Sequence, residues 1–190
     1  MIRESIVTTL SAAGEAHIAP MGVIWREGAP VLAPFRPSRT LDNLRENPFA
    51  VVNHTDDVRV FAGCLTGRCD WPVRPATAVR GVVLESALAH QELAVADFAE
   101  DAMRPRFTCR VVHEATHAPF RGFNRAQAAV IEAAILVSRL DRLPPEKIEA
   151  ETAYLRIAVE KTAGPIEREA WDWLMAAVAA FRAGQRTETA

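Results

Sequence analysis

Alternating apolar runs give way to helical spacing at one place in this chain, and that order constrains the fold more than any other feature. Up to Phe120 the apolar residues come in short runs broken by Gly, Pro, Asn or Asp. After Arg121-Gly122-Phe123-Asn124 they recur at helical intervals in stretches rich in Ala, Leu and Glu. Strands first and helices after is the order of an α+β protein, not of repeating βαβ units.

Within the first part, strands are expected at residues 2–10, 17–25, 30–35 and 49–54, with Arg26-Glu27-Gly28-Ala29 as a hairpin turn. A helix is expected at 38–46. Thr55-Asp56-Asp57 ends the fourth strand and is placed to cap a short segment through Val60 and Phe61. Residues 63–77 hold Gly67, Pro72 and Pro75 and read as an irregular loop. Residues 79–98 read as a strand and a second extended or turn segment. Residues 106–115 form another strand, with Phe107, Cys109 and Val111 on one face. Helices follow at 125–143, 146–162 and 166–183, capped by Asn124 and punctuated by Pro144-Pro145 and Gly164-Pro165. The expected organisation is a strand domain over 1–122, a helical extension packed on it over 123–184, and a frayed polar tail at 185–190.

A formal charge of −2 over 190 residues gives no electrostatic case for nucleic acid or an anionic membrane. No apolar run approaches the ~18 residues of a membrane span, and Met1-Ile2-Arg3-Glu4-Ser5 does not open a signal peptide. The cysteines, Cys64, Cys69 and Cys109, are odd in number and form no disulfide framework. A reduced, cytoplasmic protein is the expectation.

The segment from Phe35 to Asn53 carries the most chemistry. Ser38 and Thr40 stand where a helix start leaves backbone N–H groups unpaired, and Arg36 and Arg39 add positive charge, which together make an anion site. The same residues also fit a plain N-cap beside a solvated basic surface. Pro20 and Gly22 inside the second strand mark an edge approached by a ligand, or a bulge at a barrel corner. Asn53 fits a strand-ending Asx turn, and Met21 plain core packing.

His113-Glu114-Ala115-Thr116-His117 matches the H-E-x-x-H pattern of zinc hydrolases, which works only on a helix. Here the preceding residues alternate as a strand, where positions four apart lie about 13 Å from each other. No metal site is expected from this pentad. Cys64 reads as a small buried residue or one near a ligand, and Trp71 as a stacking ring or a loop anchor.

The Arg-x-Ser-x-Thr-Leu-x-Asn-Leu run from Arg36 to Leu44, with a following strand that ends in Val51-Val52-Asn53, resembles the flavin-binding segment of flavin reductase-like split-barrel proteins. Gly122-Phe123-Asn124-Arg125-Ala126, Val130-Ile131-Glu132-Ala133 and Ser138-Arg139-Leu140 are similar to the DUF447 family of split-barrel flavoprotein-like proteins with a helical C-terminal extension. The resemblance implies a split β-barrel binding FMN noncovalently. Arg36, Ser38 and Thr40 would hold the phosphate, with Asn43 close by. Asn53 and Asp56 would lie near the ribityl chain or ring edge, and Met21, Gly22 and Val23 against the ring. It also implies a homodimer with flavin near the interface, and hydride or electron transfer with a small molecule, with a hint of pterin-linked one-carbon metabolism. The flavin carries such chemistry, so no side chain is assigned as a catalytic acid or base. A flavin carrier without turnover, and a deazaflavin or pterin guest, are the alternatives; a zinc hydrolase is a remote third.

Overall fold

The computed structural model describes residues 1–188 and divides into two compact units, one of residues 1–56 and 70–120, the other of residues 57–69 and 121 onwards. The first unit is a closed antiparallel barrel of six strands in the order β1-β2-β3-β8-β7-β4. These are β1 (Ile2–Leu10), β2 (Ala16–Arg26), β3 (Ala29–Leu32), β4 (Phe49–His54), β7 (Ala89–Ala99) and β8 (Arg106–Thr116). With the helices that follow, it is the α+β, split-barrel architecture read from the sequence.

The alternation of each strand places one side-chain set inside the barrel. Val7, Val23, Leu32, Val52, Leu93 and Phe107 form the interior, and all are at most 3% exposed. Helix α1 (Arg39–Glu46) adds Leu41 and Leu44 to that cluster. They are three residues apart and so share a helix face; each contributes about 1.5–3 kcal/mol of burial. Met21 and Trp25 of β2 pack on the same interior, which realises the core reading of Met21.

Two features of the barrel wall matter for function. β2 pairs with β1 from Ala16 to Ile24, but β3 reaches only Ile24 to Arg26. The flank of β2 from Ala16 to Val23 therefore has no second strand beside it among the described residues, which accounts for Pro20 in a strand interior. Second, the β7–β8 register shifts between Glu92 and Leu93, where Val111 and His113 oppose consecutive residues and Val112 is extra.

Residues 63–77 are more ordered than their sequence suggests. Gly63 to Leu65 complete a helix, α2 (Val58–Leu65), and Val73–Pro75 (β5) pairs with Val82–Leu84 (β6) as a hairpin. Three-residue strands, one of them ending in Pro75, leave no readable period, so local pattern does not report this pairing. The hairpin and its turn are fastened to the outer face of the barrel by buried polar side chains. Thr8 donates to Val82 O, Asn47 to Arg80 O (3.0 Å), and Asn53 accepts from Leu84 N–H (2.8 Å).

In the second unit, Asp57 caps α2 by accepting from Arg59 N–H (3.1 Å). Val58 and Ala62 share a core with α3 (Arg125–Val137), α4 (Pro145–Thr162) and α5 (Pro165–Glu188). Asn124 caps α3 as expected, accepting from Ala126 N–H (2.8 Å). α3 stops at Val137 rather than at 143. Ser138 caps it, and turn bonds from Arg139 to Leu136 and from Leu143 to Arg139 replace the helix, while Leu140 still packs with Ile148 and Val178. Apolar spacing outlasted the helix because the turn buries the same residues. Trp171 and Leu174 are core residues of this unit. α5 continues to Glu188, and the last two residues of the expected tail lie outside the described residues.

Candidate functional site

The start of α1 offers unpaired donors. Ser38 is the N-cap: its Oγ accepts from Leu41 N–H (3.3 Å) and its carbonyl from Asp42 N–H (3.2 Å). The N–H groups of Arg39 and Thr40 have no partner among the described residues, and neither does the Thr40 hydroxyl. A hydroxyl that accepts one bond still has its own hydrogen to donate, so Ser38 remains a donor as well. Two backbone amides and the Ser38 hydroxyl thus stand at the positive end of a helix dipole, with the hydroxyl of Thr40, 4% exposed, in the same first turn.

The arginines contribute unequally. Arg36, whose N–H donates to Met103 O (2.9 Å), forms an ion pair with Glu100, which also takes Arg45 (3.2 Å). One carboxylate thus faces two guanidinium groups, Arg36 ahead of the helix and Arg45 in its last turn. Arg39 touches Glu15 only at 4.0 Å, and both are well exposed, so that pair contributes little. Burial, and then the charge of Arg39, lowers the pKa of His17 on β2.

The remaining expected residues divide by the direction they face. Asn43 is buried and donates to Thr9 Oγ1 of β1 (2.9 Å), so its amide braces the helix start. Met21 and Val23 turn into the barrel, which points Gly22 outward; a Cβ there would meet Ile2 Cγ2 at 2.9 Å and Glu4 Oε1 at 3.2 Å. What β2 presents outward here is backbone and a bare Cα. Asn53 is fully buried, with Nδ2 donating to Ile6 O (3.1 Å) and Oδ1 accepting from Leu84 N–H. Its amide is committed to the wall. Asp56 is half-buried just before the α2 cap. Next to Asn53, His54 lies 3.3 Å from Gln91 Oε1; burial foremost, and then Arg3, lowers its pKa against the opposing effect of Gln91.

Cys64 is half-buried; Cys109 lies in the barrel core, where burial pushes the thiol up to about 12. The zinc-hydrolase pentad is on β8 and the first residue beyond it, not on a helix, so that mechanism has no scaffold. A polar cluster that sequence reading passed over lies on the neighbouring strand. His90 and Glu92 of β7 are 1% and 0% exposed. Burial alone would raise the Glu92 carboxyl, but donation from the N–H groups of Thr77, Ala78 and Val79 and from His90 holds it below the usual carboxylate range. In sequence, His90-Gln91-Glu92 looks like a solvent-facing strand edge, because nothing local announces the hairpin that covers it.

The sequence matches the N-terminal domain of the DUF447 family, described as a protein of unknown function, over residues 3–118, and the second DUF447 domain over 124–176. No protein of curated function matches. Among solved structures, an FMN-bound protein of Methanosarcina mazei, itself of DUF447, superposes with a TM-score of 0.81 at 18% identity, covering 93% of this chain and 94% of that one. Nitrilotriacetate monooxygenase component B from Mycobacterium thermoresistibile gives 0.53 at 16% identity, over 63% and 70% of the chains. The styrene monooxygenase flavin reductase of Pseudomonas putida S12 gives 0.52 at 12%, over 61% and 79%. At these identities the likeness is one of fold.

Proposed function

This chain belongs to the DUF447 family, and we propose that it binds FMN noncovalently, with the phosphate at the start of α1, and works as an oxidoreductase on a small molecule. The observation that carries the reading is the set of unpaired donors there. Arg39 N–H, Thr40 N–H and the Thr40 hydroxyl have no partner among the described residues and suit a phosphate, as does the hydrogen of the Ser38 hydroxyl, whose oxygen also caps the helix. Arg36 supplies a guanidinium that exchanges its Glu100 partner for the phosphate.

From the α1 end, β2 runs from His17 to Met21 and Val23, about 13–20 Å at the rise of a strand. Its unpaired flank leaves the backbone edge of β2 open along that path, and at Gly22 the exposed Ile2 and Glu4 side chains give way to the ring. The FMN-bound relative of the same family and the flavin reductases of like fold support this assignment of ligand. Bound there, FMN supplies hydride or electron transfer. The protein's part is to hold the phosphate, to orient the ring against β2, and to leave its far face open to substrate or to a second copy of the chain. A cytoplasmic homodimer is part of the proposal.

Reconstitution tests it. The purified protein mixed with FMN should quench flavin fluorescence at one FMN per chain, and NADH or NADPH should bleach the bound flavin. A protein that takes up no FMN overturns the reading. Binding without any reduction leaves a flavin carrier and overturns the oxidoreductase half alone.

A further inference from the structure

On the outer face of β7, a chain of polar side chains runs from Arg74 through His117 and His90 to Glu92. His117 Nε2 lies 2.8 Å from Arg74 Nη2 and 2.8 Å from His90 Nδ1. His90 Nε2 in turn lies 3.2 Å from Glu92 Oε1, and these two side chains are 1% and 0% exposed. An imidazole nitrogen and a carboxylate oxygen buried side by side are two ready ligands for a metal cation.

A third ligand is aimed at the same place. The extra residue Val112 keeps Val111 in the barrel core and turns His113 out beside Glu92, its partner across the ladder. Bulges of this kind re-aim a side chain. His113 makes no hydrogen bond among the described residues, and its ring centroid is 5.8 Å from that of His90. One nitrogen from each of His90 and His113 and a Glu92 oxygen lie within 4.8 Å of one another.

We infer that His90, Glu92 and His113 form a binding site for a divalent transition metal, with zinc the ion their two imidazoles and one carboxylate suit best. The metal takes the place of a proton between His90 Nε2 and Glu92 Oε1, and His113 closes on it. Three protein ligands leave a coordination position open. The surroundings supply what metal ligands need around them. With Nε2 on the metal, His90 Nδ1 keeps its proton for His117 Nε2, 2.8 Å away, and the carboxylate is fixed by Thr77 N–H (2.7 Å), Ala78 N–H (2.6 Å) and Val79 N–H (3.1 Å). This site differs from the H-E-x-x-H reading. His113 serves, but its partners come from β7, and Glu114 is not involved.

The test is a titration of the chelator-treated full-length protein with Zn²⁺ against a chromophoric chelator, alongside Co²⁺ absorption as a coordination signature. The expected result is one ion per chain and the visible bands of low-coordinate Co²⁺. His113→Ala, at a half-buried position, should keep the fold by circular dichroism and lose the stoichiometric ion. His117→Ala should weaken binding roughly 10–100-fold by loosening His90. Wild-type protein that binds no stoichiometric Zn²⁺ would leave His90 and Glu92 as a hydrogen-bonded pair, overturning the inference. Equal binding by wild type and His113→Ala overturns it as well.

Discussion

Asn53 Oδ1 accepts the Leu84 N–H at 2.8 Å, and this bond ties β6 to the outer wall of the barrel. The Nδ2 of the same side chain donates to Ile6 O at 3.1 Å, so Asn53 joins three strands from a fully buried position. Asn53→Ala leaves the Leu84 N–H and the Ile6 carbonyl without side-chain partners, at a cost of about 1–3 kcal/mol. Urea denaturation should show that loss while FMN affinity stays as in wild type. Unchanged stability with lost FMN would put Asn53 on the flavin instead.

At the start of α1 the two effects reverse in size. Removing the hydroxyls with Ser38→Ala and Thr40→Ala deletes the cap bond to Leu41 N–H, worth about 1 kcal/mol of stability. It also deletes two donors to a charged group, each worth about 1.5–3 kcal/mol. FMN affinity should fall at least tenfold, followed by fluorescence quenching, while the melting temperature moves only slightly. Unchanged affinity would move the phosphate elsewhere.

These two sites show why the sequence was readable in one place and opaque in another. Ser38, Leu41 and Leu44 act within one helical turn, so cap and buried face both appear as local spacing. The strand order is similar, because Phe107, Cys109 and Val111 alternate on β8 before any partner is considered. Asn53, His90 and Glu92 depend instead on a hairpin of three-residue strands laid over the wall, and a strand with its outer face covered looks the same in sequence as one facing water. His113 depends on one extra residue, Val112, and no residue pattern reports a bulge of that kind. Helix α2 is legible only once Val58 and Ala62 are seen against α3 and α5, more than sixty residues away along the chain.

Gly22 tests the ring position apart from the phosphate. A methyl group there meets Ile2 Cγ2 and Glu4 Oε1, both on exposed side chains at the end of β1 that can give way. Gly22→Ala should therefore change stability by less than about 1 kcal/mol. If the flavin ring lies on this stretch of β2, the same methyl stands off the ring and weakens FMN, with a change in the bound-flavin spectrum. An unaltered spectrum and affinity would place the ring off Gly22.

The three cysteines should separate by reactivity. Only the thiolate attacks an alkylating reagent, and burial pushes the Cys109 thiol up to about 12. At pH 8 iodoacetamide should label exposed Cys69 in the native protein and leave Cys109 untouched until denaturant is added. Mass spectrometry of peptides reads this directly. Rapid native labelling of Cys109 would mean that the barrel opens far more readily than its packing implies.

Acid should weaken the fold before its carboxylates titrate. His17 and His54 both have lowered pKa values, His17 through burial and the charge of Arg39, His54 through burial and Arg3 against the opposing effect of Gln91. The unfolded chain, with ordinary histidines near 6.5, therefore binds more protons than the native state just below that pH. Stability from these groups is present above about pH 6.5 and is lost as pH falls toward the folded pKa values. Glu92 and Asp101 are lowered carboxylates, so their contributions go only at more acidic pH, below the ordinary carboxylate range. The melting temperature should drop between pH 7 and pH 5. His54→Gln keeps a polar group facing Gln91 but has no proton to gain, so it should flatten that drop. The slope that remains belongs to His17 and to His117, which is lowered in the same sense. A variant whose melting temperature follows the wild-type curve across this range would remove His54 from the acid response.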